Sequence, residues 1–353
     1  METRKIQRVS NGTYTVSLPR EWAEEQGLSA GAVVDLHTHI DGLLVVQTAD
    51  EREAARIDLT ISDETATQLA RILRAAYATG ALEIHIEADG EFTGEQRTAL
   101  RSVTRAMAGV TVADESESHV EIRNVLNSEE VSVRQSVRHL QFVALSRHRE
   151  ATAALLGDGP ASTVADSDNR GDRLHGMVER YFVRSLSRLD EVDSLGESRP
   201  ELFQFYEMAA ELAQVATHAD RIASSAADVD EPIDADLAAE VDAVATQARD
   251  AVETAVDATF APDPDAVWSV FEARDDVRAT TESIDRRLFE AADADYRTTN
   301  AVERIRRTAN CAGRIATVGL RDAIREGHTS DGVRVGVDSD EGSDSRVASG
   351  ADE

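Results

Sequence analysis

The sequence predicts a multidomain α+β protein, in which a small β domain and a small α/β layer precede a long all-α region. Three observations predict this order. Residues 1–50 contain two hairpin signals, Asn11-Gly12 and Asp41-Gly42, between alternating strands. Residues 51–126 alternate strand and helix patterns. Residues 128–326 carry long amphipathic stretches joined by short turns, which is typical of antiparallel helical bundles.

The helical region is organised around a stretch that occurs twice. The first copy is Leu212–Ala223, and the second copy, Ile305–Ala316, lies 93 residues further along the chain. Apolar residues of the first copy recur at helical spacing and are mostly alanine, so another helix can approach that face closely. The repeat favours a duplicated helical unit. The simpler alternative is two similar amphipathic helices within one bundle.

Both copies resemble the signature helix of the PhoU family. His218-Ala219 and Ile222-Ala223 match it in the first copy, and the matches in the second copy are Ala309, Ala312, Ile315 and Ala316. The resemblance covers roughly residues 128–326. It implies tandem three-helix bundles, at 128–229 and 233–326, of a protein that restrains phosphate uptake and signalling. The signature-helix positions that we single out are His218, Asp220, Arg221 and Arg314.

The family's metal-binding pattern is not kept in these helices. PhoU proteins often bind metal through an acid pair four residues apart, because such carboxylates share one helical face. In the register that aligns the two copies, the pair becomes Ala213 and Thr217, then Arg306 and Asn310. We therefore expect no metal and no other cofactor. His218 with Asp220 is the best remaining candidate, but residues two apart on a helix do not face each other.

The N-terminal segment resembles the AbrB-like (SpoVT/AbrB) swapped-hairpin domain over nearly all of residues 1–50. The resemblance rests on the basic start from Arg4 to Arg8, on Leu18-Pro19-Arg20-Glu21-Trp22 and on Gly27-Leu28-x-x-Gly31. It implies an interlocked homodimer that binds DNA. The candidate DNA-binding residues are Arg4, Lys5, Arg8 and Arg20, since phosphates need such cations. Alternatively, the domain only dimerises and its arginines pair with local acids.

Charge dominates the composition. The chain of 353 residues has a net charge of −30, and Lys5 is its single lysine. Such an acid excess, spread along the helices, indicates a halophilic surface that stays hydrated in concentrated salt. Salt would weaken DNA binding that depends on charge alone, so base-edge contacts and shape would have to contribute. Residues 328–353 are acidic and poor in apolar groups, and we expect them to be disordered.

The remaining signals concern location and chemistry. A single cysteine, Cys311, excludes an internal disulfide and fits a reducing compartment. The N-terminus has no apolar segment of the secretory type, and no apolar run is long enough for a membrane span. We therefore expect a cytoplasmic protein without membrane insertion. No nucleophile elbow, P-loop or HExxH motif is present, so we expect no catalytic residues and no enzyme.

Two functions follow from these patterns. The first is a DNA-binding transcriptional regulator of phosphate uptake and phosphate homeostasis, whose bundles sense or relay phosphate status. Its partners would be DNA, a second copy of the chain, and a phosphate ABC transporter or a phosphate-signalling protein. The alternative is an adaptor that dimerises through residues 1–50 and restrains the transporter by protein contact. Residues 51–126 are interpreted as structural or regulatory.

Overall fold

The computed structural model describes residues 3–9, 12–38, 42–48, 56–159, 170–227, 233–290, 296–325 and 327. Asn11 and Asp41 of the predicted hairpin turns and the predicted tail at 328–353 lie outside these residues. The described chain divides into two compact units. The first takes in the residues up to 104, 109–131 and 183–199, and the second takes in 105–108, 132–182 and those from 200 onward.

The first unit begins with two separate hairpins around a short helix. β1 (Gln7–Arg8) pairs antiparallel with β2 (Tyr14–Thr15), and β3 (Val34–Thr38) pairs antiparallel with β4 (Leu44–Thr48). Between them, α1 (Arg20–Glu25) follows Pro19 and buries none of its side chains. The predicted order of strand, strand, helix, strand and strand is confirmed. This N-terminal segment has little apolar core of its own.

A four-stranded mixed sheet forms the rest of this unit. Its strands lie in the order β5 (Arg56–Ile61), β6 (Glu83–Ala88), β8 (His119–Asn124) and β7 (Val110–Glu115). β5 and β6 are parallel, and the remaining pairs are antiparallel. Apolar side chains of β6 and β8 are buried in alternation with polar ones, so the sheet has one apolar and one polar face.

Two capped helices accompany the sheet. In α2 (Ala66–Ala78), Thr65 and Gln68 form a reciprocal capping box. In α3 (Gly94–Arg105), Thr93 and Gln96 exchange the same two bonds. Leu69 and Leu73 of α2 and Leu100 and Val103 of α3 are buried. These helices therefore contribute their apolar faces to the core of the first unit.

The long helices that follow agree with the predicted all-α region. They are α4 (Val133–Leu155), α5 (Arg170–Ser187), α6 (Leu189–Leu195), α7 (Arg199–Ala227), α8 (Ala235–Phe260), α9 (Pro264–Glu290) and α10 (Tyr296–Arg325). The predicted start at Ser128 is wrong. Ser128–Glu130 forms one 3₁₀ turn, and Ser132 caps α4 by accepting a bond from the Gln135 amide. The extended backbone of Arg188 separates α6 from α5, a break that the sequence did not predict.

Residues 183–199 are held within the first unit by a buried arginine. Arg184 of α5 donates from Nη1 to the carbonyl of Gly80 over 2.9 Å, and its Nη2 lies 2.5 Å from the Glu191 carboxylate. Gly80 has φ +88°, and a Cβ there would lie 2.2 Å from Arg184 Cγ. Only glycine therefore allows the arginine to cross this turn.

The second unit contains two sets of three helices. α8, α9 and α10 pack against one another. In the other set, Gly171 of α5 lies against Leu140 of α4 and Ala216 of α7. The Phe182 ring of α5 also stacks on Tyr206 of α7, with 4.8 Å between ring centroids. The tandem arrangement predicted from the sequence is confirmed.

The repeated stretches form the centre of this unit. The predicted face of α7 is buried at Leu212, Val215, Ala216, Ala219, Ile222 and Ala223. The same face of α10 is buried at Ile305, Thr308, Ala309, Ala312, Ile315 and Ala316. One apolar cluster joins residues of α4 and α7 to residues of α8, α9 and α10, so the two sets of helices share a core. Within the described residues, no helix has the length and apolarity needed to cross a membrane.

Candidate functional site

The predicted DNA-binding cations lie on the surface of the N-terminal segment. Arg4 and Lys5 precede β1, Arg8 ends it, and all three are exposed. Arg20 begins α1, with its side chain 88% exposed and its Nε 2.7 Å from the Glu24 carboxylate. A surface pair of this kind is worth at most about 1 kcal/mol. A DNA phosphate could therefore compete with Glu24 for Arg20 at little cost.

The same segment exposes large apolar side chains. The most exposed are Ile6, Tyr14, Val33, Leu36 and Leu44, at 70%, 66%, 82%, 63% and 62%. Five such side chains within about forty residues amount to more than the scattered apolar exposure of an ordinary surface. A second protein surface would cover them, and the segment then gains the core that it lacks alone.

Among the signature-helix positions, Arg314 has the best-defined partner. Its Nε and Nη2 donate to the two carboxylate oxygens of Glu211, over 2.6 and 2.7 Å, and so connect α10 to α7. Nη2 also lies 3.2 Å from Cys311 Sγ. Arg221 occupies the equivalent place on α7 and is exposed. The two equivalent arginines therefore have different surroundings, and Arg314 forms an ion pair between α10 and α7.

His218 is buried rather than presented to solvent. Its exposed fraction is 7%, and its Nδ1 has no hydrogen-bond partner among the described residues. Burial, followed by the charges of Arg304, Arg307 and Arg314, lowers its pKa to about 4. The imidazole is consequently neutral near pH 7.

Asp220 points to a different neighbour. Its Oδ1 lies 2.6 Å from Nη2 of Arg147 on α4, and burial raises its pKa despite that arginine. His218 instead interacts electrostatically with the arginines of α10. The two side chains therefore do not converge on one ligand position.

Cys311 occupies the position on α10 that corresponds to His218 on α7. Its side chain is fully buried, and burial with the Glu211 carboxylate raises the pKa of its thiol to about 12. A thiol of this kind stays protonated and packs as a small apolar group.

A group that the sequence analysis did not single out lies on the sheet. Within the residues that the structure describes, His85, His119 and Glu121 are the set of His, Cys, Asp or Glu side chains close enough to share a metal ion. His119 and Glu121 alternate along β8, and this alternation was visible in the sequence. Their pairing with His85 depends on the strand register, which the sequence does not give.

Comparison with known proteins adds two likenesses. No curated protein matches the chain. Residues 7–53 match the family described as antidote-toxin recognition MazE, bacterial antitoxin. Solved structures similar to this chain include the crystal structure of PhoU from Pseudomonas aeruginosa, at 20% identity and a TM-score of 0.47, covering 53% of this chain and 93% of that one. Residues 7–53 are thus similar to MazE antitoxins, in agreement with the predicted swapped-hairpin domain.

Proposed function

We propose that this chain is a DNA-binding transcriptional regulator of phosphate uptake and phosphate homeostasis. The observation that carries the proposal is the N-terminal surface, where Arg4, Lys5, Arg8 and Arg20 accompany exposed apolar side chains. Arg8 and Arg20 lie within residues 7–53, which match the MazE family, and Arg4 and Lys5 directly precede them. A homodimer would cover the apolar groups. It would also place two sets of cations on one assembly, as a two-sided DNA contact requires.

The net charge of the chain determines which interactions could contribute to DNA affinity. A chain with a net charge of −30 is repelled by DNA except where cations are concentrated. In concentrated salt the release of counterions contributes little, so affinity would come from base-edge hydrogen bonds and from shape. Arginine suits this task because its planar guanidinium binds a guanine edge through two bonds.

The helical unit would supply the signal in this proposal. Its connection to phosphate rests on the signature-helix resemblance of α7 and α10. Exposed Arg221, together with the half-exposed Asp220, lies on the outer side of α7, where a partner protein could reach them. We infer that this partner is a phosphate ABC transporter or a phosphate-signalling protein.

A second candidate is an adaptor that dimerises without binding DNA. Two observations favour it, namely the acid excess of the chain and the pairing of Arg20 with Glu24. In that case the exposed apolar groups would still form the dimer, and the helical unit would restrain the transporter by direct contact. Neither candidate requires catalysis.

Fluorescence anisotropy in about 1 M KCl separates the two, because charge is screened within about 3 Å under those conditions. The probe is promoter DNA of phosphate-transport genes. The test variant replaces Arg4, Lys5, Arg8 and Arg20 with alanine. A charge-matched control replaces four exposed arginines elsewhere, Arg71, Arg74, Arg149 and Arg173.

The regulator predicts saturable, sequence-dependent binding by the wild type and the control, with a loss of at least about 100-fold in the test variant, since each lost base contact is worth about 1–3 kcal/mol. Equal weak binding by all three proteins would contradict it. A pull-down that still recovers the transporter with the test variant would then favour the adaptor.

A further inference from the structure

The polar face of the sheet brings together side chains from its two central strands. In the antiparallel register of β6 and β8, His85 lies opposite Glu121, and Glu87 lies opposite His119. Residues two apart on a strand share a face, so His85, His119 and Glu121 project from the same side. Their neighbours Ile84, Ile86, Val120 and Ile122 are buried on the other side.

The three side chains are close enough for one ion. One ligand atom from each lies within 4.8 Å of the others. The two imidazole rings are 5.8 Å apart between centroids and tilted by 55°, so they do not stack face to face. Two ligands on a tetrahedral zinc ion with bonds of about 2.1 Å are about 3.4 Å apart. Side-chain rotations that bring the ligand atoms about 1 Å closer to one another would therefore complete the tetrahedral geometry.

A second observation concerns the Nε2 atom of His85. It is buried and has no hydrogen-bond partner among the described residues. The nearest carboxylate oxygens, on Glu83 and Glu121, are 3.6 and 4.0 Å away, beyond hydrogen-bond length. Buried ring nitrogens usually have a partner. An ion between this nitrogen and the Glu121 carboxylate would provide one.

We propose that His85, His119 and Glu121 form a binding site for a borderline divalent metal ion of the Zn²⁺ class. Two imidazoles and one carboxylate are a donor set that such ions take, with water or the Glu83 carboxylate in the fourth position. Mg²⁺ and Ca²⁺ fit poorly, because they require six or more oxygen ligands. The site lies outside the signature helices and does not depend on the proposed DNA binding.

Arg123 lies on the same face and contacts the carboxylates beside the site. Its Nε lies 2.6 Å from Glu121 Oε1 and 3.3 Å from Glu83 Oε1. The guanidinium therefore contacts one oxygen of each carboxylate, and Glu121 Oε1, which also lies 4.0 Å from His85 Nε2, would be shared between Arg123 and the ion. Because the ligands come from β6 and β8, a bound ion would link the two central strands of the sheet.

Equilibrium dialysis of the full chain against Zn²⁺ tests the site, with excess Mg²⁺ to occupy scattered surface carboxylates. The test variants are His85→Gln, His119→Gln and Glu121→Gln, which keep side-chain volume. The matched controls are His139→Gln and Glu150→Gln, exposed residues of α4. Circular dichroism without metal verifies that each variant is folded.

We expect a single Zn²⁺ per wild-type chain and a loss of affinity of at least about 10-fold in each test variant, since even the loss of an outer-shell partner costs about 10–100-fold. The controls should bind like the wild type. With Co²⁺ as a spectroscopic probe, the visible d–d bands of the wild type should disappear in the same three variants. Equal Zn²⁺ affinity in the wild type and the test variants, or no binding at all, would overturn the proposal.

Discussion

The N-terminal segment and the helical unit differ in how far they bury their apolar side chains. In α8, α9 and α10, Val241, Ile284 and Ile305 have no exposed surface. In the N-terminal segment, Val33 and Leu36 are 82% and 63% exposed, and α1 buries nothing. Both regions have apolar residues at regular spacing. In this chain the long helices cover one another's apolar faces, whereas the short hairpins leave theirs exposed.

The difference shows where a second molecule is required. Two hairpins of two and five residue pairs are too small to close a core alone. The helical unit has many alanines on facing helices, so its backbones approach closely and its core is continuous. We therefore expect one region to be stable in the single chain and the other to depend on association.

The largest effect should come from cavity formation in the helical unit. Ile305→Ala removes a fully buried side chain from the shared core and should lower the free energy of unfolding by about 2–5 kcal/mol. Urea unfolding followed by helical circular dichroism measures this. Ile324→Ala, on the same helix with its side chain 42% exposed, is the control and should change much less. Equal losses in both variants would mean that burial does not determine stability here.

The second prediction concerns Leu36, an exposed apolar side chain of the N-terminal segment. Leu36→Asp should leave the free energy of unfolding of the helical unit nearly unchanged, because Leu36 is exposed in the single chain. If this side chain is covered in a dimer, the new charge should raise the dimer dissociation constant at least about 10-fold. Sedimentation equilibrium measures it, with Asp35→Ala as a neighbouring control. An unchanged dissociation constant would remove Leu36 from the interface.

The last prediction concerns pH and the buried histidines of the helical unit. Burial, then Arg249 and His218, lower the pKa of His148 to about 3 from the ordinary 6.5. His218 falls to about 4. The unfolded chain therefore binds more protons than the folded one below pH 6.5. Stability should be complete above that pH and fall as the pH drops, by about 1.4 kcal/mol per unit for each histidine.

Urea unfolding at several values between about pH 5 and 6.5 tests this, since most carboxylates stay ionised in that range. His148→Gln should reduce the slope of the unfolding free energy against pH by the contribution of one histidine, and His139→Gln, at an exposed residue of α4, is the control. A slope that is the same in all three proteins would show that His148 does not titrate on unfolding.

Periodicity explains why much of the fold could be predicted from the sequence. The buried faces of α7 and α10 follow from apolar residues at helical spacing, and the start of α3 follows from Thr93 and Gln96. These signals are local. No glycine or proline marks the break at Arg188, and the nearby contacts of Arg184 with Gly80 and Glu191 join residues that are distant in the sequence or lie across the break.

The candidate sites were harder to predict from the sequence, because they also depend on contacts between distant residues. The bond from Arg314 to Glu211 joins residues 103 positions apart, and the approach of His85 to Glu121 depends on a strand register. Neither appears as a motif. The exposure of Arg8 and Arg20 could be anticipated from their charge, but Glu24 as the partner of Arg20 required the start of α1 to be known.

The way in which the two helix triplets meet shows how the two halves of the helical unit are related. The first helices of the triplets, α4 and α8, contact each other, as do the third helices, α7 and α10. Like thus meets like, which is the rule for two identical subunits related by a two-fold axis. The two triplets are thus arranged within one chain as the two subunits of a two-fold dimer would be. The halves are not identical, because His218 in the first copy of the repeat aligns with Cys311 in the second.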